Sequence, residues 1–346
     1  MKKKRVGVIS LSVLILFAFL FSATPVLPSE TKPVELKLAH MFPVGSPSDV
    51  HIKAWAEKIA SDSNGRLTIR IFPVGTLIAA PELYEGAEKG TTDIAFAFRY
   101  GQKGNPLGSA IRDMIISTPD TVTAGRVYDD LWAEFPEEMA AEWDTVKVLW
   151  LSPSVIQGIH TSKPVRKLED MKGLQIRVPS KELGNLVKDL GGTPAFMSVP
   201  DFLVGIEKGT VDGALCMPAV VQDNKLGGKI KYFVNISLGV TTPVYCVMNK
   251  DVYADLPSDL KKVIDDSCEW GRQGTIKYWS VAFDNALKYY KETGVEVVNL
   301  SPQEKERWIN IVDKRCEEIG KDLDEKGFPG SKIVSFIRQR VKHFTP

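Results

Sequence analysis

The chain has 346 residues, 44% hydrophobic and 25% charged, with 27 glycines, 21 prolines and 4 cysteines, which is the composition of a folded globular protein and excludes a disordered or fibrous one. A formal net charge of +1 gives no electrostatic case for nucleic acid as a partner. Lys2, Lys3, Lys4 and Arg5 stand in residues 1–29 without any acid, so the remainder carries 40 basic against 43 acidic residues, a charge of −3.

Met1 to Arg5 is basic, Val6 to Phe21 is a nearly unbroken apolar run, and Ser22-Ala23-Thr24-Pro25 is small and polar. These are the three parts of a secretory signal peptide, expected over residues 1–29 with cleavage between Ala23 and Ser29. As a helix the apolar run would rise only about 24 Å, short of the roughly 30 Å hydrocarbon core that an uncleaved anchor must cross. No later segment is long and apolar enough to span a membrane, so the expected mature protein is exported and soluble. Export favours disulfides, yet Cys216, Cys246, Cys268 and Cys316 are widely spaced with no C-x-x-C pair. Free thiols are expected, with a Cys216–Cys246 bridge between two strands as the alternative.

After the leader, Leu36 to His40 reads as a strand, followed by the loop Phe42-Pro43-Val44-Gly45-Ser46. A helix comes next, with Ser46 or Ser48 as N-cap and apolar positions at Val50, Ala54, Ile59 and Ala60, closed near Gly65. Leu67 to Ile71 alternates in period two as a strand, Pro81 to Lys89 reads as a helix and Asp93 to Phe98 as a short apolar strand. This β-α-β-α-β order is expected of a parallel sheet with crossover helices.

The second half repeats the unit: strand Leu174–Val178, helix Glu182–Leu190 closed by Gly191-Gly192, strand Ala195–Met197, helix Pro200–Lys208 and strand Val211–Met217. Pro81, Gly86, Glu88, Lys89, Gly90, Thr91, Asp93 and Ala95 recur as Pro200, Gly205, Glu207, Lys208, Gly209, Thr210, Asp212 and Ala214 at a constant offset of 119. A single long repeat is not a solenoid; it predicts two similar α/β lobes. Apolar strands at Val146–Ser152 and Val244–Asn249 fall where the chain would pass between lobes. From Pro257 to about Thr293 a helical pattern persists through Leu260, Ile264, Ser267, Trp270, Tyr278, Val281, Leu287 and Tyr290, with Ser258 or Asp259 as cap and Gly294 at its end. Such a helix, about 52 Å long, exceeds one lobe and is expected to lie across both. Gly271 and Gly274 would bend it or admit another backbone. The expected division is lobe I from 30–154 plus about 245–285, and lobe II from 155–244 plus about 286–346, with the ligand cleft between them beyond the carboxyl ends of the strands.

Catalytic templates are mostly missing: there is no G-x-S-x-G, no phosphate loop, no G-x-G-x-x-G and no zinc-helix spacing among His40, His51, His160 and His343. Asp93 and Asp212 fit a turn-capping role better than an acid–base pair, and Cys216 has no histidine beside it in sequence. Arg177 stands out. It lies inside the apolar strand Leu174–Val178 and, in period two, points away from Leu174, Ile176 and Val178. A guanidinium there can hold a carboxylate through two parallel hydrogen bonds; a surface arginine or an internal salt bridge is the alternative.

The run Lys163-Pro164-Val165, Leu168 to Val178 and Leu190-Gly191-Gly192-Thr193-Pro194 closely resembles the extracytoplasmic solute-binding proteins of TRAP transporters, the DctP family. Gly209-Thr210-Val211-Asp212-Gly213-Ala214, Gly65 to Ile69, Phe72 to Leu77 and Gly90 to Ile94 fit the same family over nearly the whole mature chain. The resemblance implies a two-lobed periplasmic-binding-protein-like fold and a periplasmic receptor for a small organic acid. It also implies delivery to small and large membrane permease subunits, with no enzyme activity, cofactor, metal or nucleic acid. Arg177 would match the arginine that grips the substrate carboxylate. The chain departs from many members in having Gln157, Gly158 and His160 where a second arginine stands, and Leu215-Cys216-Met217-Pro218 where an asparagine stands. Those losses, with Phe42, Phe98, Tyr100, Trp150, Phe196 and Met217 as cleft candidates, lean towards an apolar or aromatic monocarboxylate. His40, Glu82, Arg99, His160 and Pro218 complete the candidate set, on a protein expected to be a monomer. The rival readings are the receptor of an ATP-driven importer, an exported enzyme using Cys216 or His160, and a sensor module.

Overall fold

The computed structural model describes residues 33–98, 115–118, 120–152, 157–240 and 244–345. The leader, Arg99 and Tyr100 lie outside the described residues. No helix among the described residues is long and apolar enough to cross a membrane.

Two mixed sheets carry the fold. The first has the order β2 (Leu67–Phe72), β1 (Val34–His40), β3 (Ile94–Phe98), β11 (Val244–Asn249) and β5 (Val146–Ser152). The second runs β12 (Glu296–Val298), β10 (Tyr232–Val240), β6 (Gln157–Thr161), β9 (Gly213–Cys216), β7 (Gln175–Val178) and β8 (Thr193–Phe196), with β4 (Ile115–Ser117) paired to β10. The parallel order expected from the sequence holds for β2-β1-β3 and for β8-β7-β9. The strands that pass between lobes instead join antiparallel, β11 on β3 and β6 on β9, because each enters its sheet from the opposite lobe.

The repeated turn does the same work twice. In each copy a glycine adopts a left-handed conformation, Gly90 at φ 76° and Gly209 at φ 68°, which side chains with a Cβ disfavour. Asp93 accepts the Lys37 N–H at 2.7 Å and returns its own N–H to the Lys37 carbonyl at 3.0 Å. Asp212 does this with Gln175 at 2.9 and 2.8 Å. The Asp93 carbonyl then accepts the Asn249 N–H, and the Asp212 carbonyl the Ser162 N–H. Each aspartate ties the start of its own strand to the two neighbouring strands, and the two do not pair with one another.

Helix α1 (Pro47–Asp62) starts at Ser46, whose hydroxyl accepts the Asp49 N–H, and continues with a proline in its first turn. Helix α2 (Leu83–Glu88) covers the opposite face of the first sheet, joined by α3 (Thr121–Glu134) and the short α4 (Pro136–Ala140). In the second lobe α5 (Lys181–Asp189) packs on one face, and α6 (Val199–Lys208) with α7 (Pro218–Asp223) on the other. After the short α8 (Lys250–Asp255), the long helix α9 spans Ser258–Thr293, 36 residues, and ends at Gly294. Pro257 takes its cap position; Asp259 instead pairs with Arg66. Leu260, Ile264, Trp279 and Ala282 of α9 enter the first lobe's core, and Phe283, Leu287 and Tyr290 enter the second's. Gly271 and Gly274 admit side chains, not a backbone: a Cβ at 271 would meet the Trp150 ring at 2.8 Å, and one at 274 would overlap His51.

Helix α10 (Pro302–Glu325) also straddles. Its buried stripe Trp308, Val312, Cys316, Gly320 and Leu323 recurs about every four residues over a helix about 36 Å long. Trp308 and Val312 belong to the second lobe's core, whereas Cys316 and Leu323 join the first lobe's, with Ile333, Val334 and Ile337 of α11 (Gly330–Phe344). All four cysteines are free; Cys216 and Cys246 lie in the cores of different lobes and do not form the bridge considered above.

Candidate functional site

Arg177 lies on β7 beside Ala195 of β8 and Ala214 of β9. Its neighbours Ile176 and Val178 pack in the core on one face of the sheet, so period two puts Arg177 on the other face, with Ala214, Cys216 and Phe233. The residue is only 7% exposed, and its Nε–H donates to the Met197 carbonyl at 3.0 Å. That bond restrains the planar guanidinium through its Nε. Burial pushes the nearby Cys216 thiol up to about 12, and the positive charge of Arg177 only partly opposes this. Cys216 is therefore a protonated thiol and a poor nucleophile at neutral pH.

His160 is buried and stacked on Phe233, ring centroids 4.6 Å apart. Burial lowers its pKa to about 3, so the ring is neutral. The Tyr290 hydroxyl donates to the Pro218 carbonyl at 3.2 Å and so must accept from His160 Nε2–H, at 2.7 Å. His160 Nδ1 is then bare and accepts the Cys216 thiol at 3.4 Å. One directional chain thus ties β9, β6, the long helix and the start of α7, and it flanks Met217 on both sides. His160 and Pro218 are members of this scaffold.

In the first lobe, His40 ends β1 and is buried. Its Nδ1 accepts the Phe42 N–H at 3.2 Å, and its Nε2 lies 3.3 Å from Asp49 Oδ1. Burial lowers the His40 pKa against the opposing pull of Asp49. Burial would raise Asp49, but Lys53 at 2.7 Å and the Gly45 N–H at 2.8 Å hold its carboxyl below the usual range. His40 therefore sets the loop that presents Phe42. Phe42 packs against Phe98 at 5.7 Å and Trp279 at 6.3 Å, and Phe98 against Trp279 at 5.4 Å. Met217 of the second lobe is partly buried against the core that contains these three rings.

Three sequence candidates lie elsewhere. Trp150 is a core residue: it meets Trp55 edge-on at 5.0 Å and donates its Nε1–H to Thr275 at 3.2 Å. The exposed Glu82 sits on the turn Ala80–Glu82, whose neighbours Ile78, Ala80 and Leu83 pack on the opposite face of the first sheet from Phe42. Phe196 ends β8, 58% exposed, over Gly184. The sequence reading missed Trp279 and Tyr290 as site residues. A mid-helix Tyr278-Trp279 pair was the available signal, since a single apolar stripe accommodates one of two adjacent rings and the other needs its own neighbour.

The family model DctP, bacterial extracellular solute-binding protein, family 7, matches residues 38–322. The C4-dicarboxylate-binding periplasmic protein DctP of Rhodobacter capsulatus is 22% identical over 313 residues, 85% of this chain and 90% of that protein. A marine metagenome TRAP solute-binding protein specific for aromatic acid ligands superimposes with a TM-score of 0.80 at 23% identity, covering 90% of this chain and 100% of that one. A TRAP solute-binding protein from Rhodoferax ferrireducens, solved with copurified benzoate, gives 0.77 at 21% identity, covering 90% and 98%. The match over most of the chain, on a two-lobed frame with a buried arginine, means that this chain belongs to the DctP family of bacterial extracellular solute-binding proteins.

Proposed function

We propose that this receptor binds a small monocarboxylate with an apolar, preferably aromatic, body in the cleft between the two sheets and passes it to the small and large membrane subunits of a TRAP permease. The observation that carries the reading is the pairing of a buried, restrained Arg177 in one lobe with the Phe42, Phe98 and Trp279 rings of the other. The guanidinium takes the carboxylate by two parallel bonds, and the rings take the body. Gly158 and Met217 stand where many relatives carry polar side chains, and an apolar wall leaves the hydroxyls of a sugar acid unpaired at about 1–3 kcal/mol each. Two structural neighbours specific for, or solved with, aromatic acids support this choice, whereas the C4-dicarboxylate-binding relative marks the alternative.

The lobes expected from the sequence, 30–154 with about 245–285 and 155–244 with about 286–346, are carried forward with one change: residues from Cys316 onward move with lobe I. Closure is a hinge motion of the two lobes about the middle of α9, the helix that enters both cores. The mature protein is a periplasmic monomer beginning between Ala23 and Ser29.

Thermal-shift screening of an organic-acid library, followed by calorimetry, tests the reading, since a ligand that binds the native state raises its stability by mass action. Aromatic or branched monocarboxylates are expected to outbind C4 dicarboxylates and sugar acids. Arg177→Ala should lower affinity about 30- to 5,000-fold without loss of fold, the range for truncating one partner of a buried charge pair, and Arg177→Lys should rescue little. Submicromolar succinate binding with no response to aromatic acids, or an Arg177→Ala protein that binds within threefold of wild type, would refute it.

A further inference from the structure

Three tryptophans in the two cores have a hydrogen-bond acceptor built for them. Trp55 Nε1–H donates to Ser267 at 3.0 Å, Trp150 Nε1–H to Thr275 at 3.2 Å and Trp308 Nε1–H to Glu304 at 3.1 Å. Trp279 is the exception. It is 4% exposed, and its Nε1–H has no partner among the described residues. The long helix that supplies Ser267 and Thr275 to its neighbours supplies nothing to its own indole. Its sequence neighbour Tyr278 bonds to Ser48, and no bond runs from either hydroxyl to the indole. A buried donor left unmade is destabilising and rare in folded proteins, so its persistence requires an explanation.

The surroundings narrow what could satisfy it. Trp279 packs with Phe42 and Phe98, and Met217 of the other lobe is packed against the core that holds all three rings. A resident water needs two to four polar partners, which these side chains do not offer. An incoming ligand oxygen needs only this one donor and brings its own apolar body for the rings. We infer that Trp279 Nε1–H is a specificity contact that donates to an oxygen substituent on the ligand's aromatic body, at the end remote from the carboxylate. The inference rests on the reading of the cleft above, in which the carboxylate belongs to Arg177 of the second lobe. The indole belongs to the first, so the two polar contacts grip opposite ends of one molecule when the lobes close.

The test uses matched ligands. Calorimetry on the mature protein would compare the ring-hydroxylated benzoates and phenylacetates with their ring-methylated counterparts, which have similar size and lack the oxygen. At least one hydroxylated acid is expected to bind tenfold or more tighter than its methyl counterpart, and Trp279→Phe should erase that preference while retaining the methylated acid. In a nitrogen-15 spectrum of the wild-type protein, which requires no stable variant, the Trp279 indole resonance should move downfield with the hydroxylated acid and stay nearly in place with the methylated one. A wild-type protein without the preference, a preference that survives in Trp279→Phe, or an indole resonance unmoved at saturation would each overturn the assignment. Failure of every carboxylate to bind the wild-type protein would instead overturn the reading of the cleft on which it rests.

Discussion

Replacing Tyr290 by phenylalanine deletes one oxygen and breaks the chain that runs from Cys216 through His160 and Tyr290 to Pro218. Two buried groups lose their partner, His160 Nε2–H at 2.7 Å and the Pro218 carbonyl at 3.2 Å. Each orphaned group is worth about 1–3 kcal/mol. The Pro218 carbonyl opens helix α7 and also faces its amides, so the lower part of the range applies, about 2–3 kcal/mol in total. With an unfolding entropy of about 2.1 cal/mol/K per residue over roughly 310 residues, that converts to a melting point about 3–5 °C lower. Binding should weaken as well, since the chain sets Met217 and Pro218 against the long helix, and the loss should fall on every acid alike. Differential scanning calorimetry of the two proteins, with and without ligand, measures both effects. A Tyr290→Phe protein melting within 1 °C of wild type would mean that the chain bears no strain of desolvation and that the tautomer deduced for His160 is mistaken.

Acid should destabilise the protein early. Burial lowers the folded pKa of His40, His51 and His160 below 6.5, in the last case to about 3. The unfolded chain therefore takes up protons first, so their stabilisation is complete above pH 6.5 and falls by up to about 1.4 kcal/mol per pH unit per histidine as pH drops towards the folded value. Urea midpoints between pH 7.5 and 4.5 measure the slope, which His160→Gln should flatten; an unchanged slope would count against a neutral buried His160. Gly213→Ala should be severe, because its Cβ would overlap the His160 carbonyl oxygen and lie 2.9 Å from the Thr161 Cα, both backbone atoms of β6. The expected loss is about 3 kcal/mol, at the top of the usual overpacking range. Gly228→Ala, with open space around it, serves as the control, and equal stability of the two variants would disprove the close approach of β6 and β9.

Much of this molecule is written locally. The strand limits at Val146–Ser152 and Val244–Asn249, the long helix between Pro257 and Gly294, and the Ser46 cap follow from period, proline and capping chemistry within a few residues. The eight-residue identity at an offset of 119 foretold two copies of one unit, because the same turn must clamp the same parallel strands in both. The side of the strand that Arg177 occupies was legible for the same reason: alternation is a property of the pleat, and nothing distant can change it.

What the tertiary structure alone decided is which residues meet. Trp150 reads like a cleft aromatic, yet both faces of the first sheet are covered by helices, so an apolar residue on β5 has a core on either side. His160 reads like a ligand group until Tyr290, 130 residues later, accepts a hydrogen bond from its Nε2–H. The C-terminal helices read as part of lobe II, but a stripe of buried side chains longer than one lobe carries residues beyond Cys316 into the other. Trp279 shows no sign in sequence that its N–H lacks an acceptor, because an acceptor's absence depends on every element packed around it. Local geometry is set by the stiffness of a few consecutive peptides, whereas these contacts join chain segments tens to more than a hundred residues apart. Such contacts exist only after the loops between them have closed.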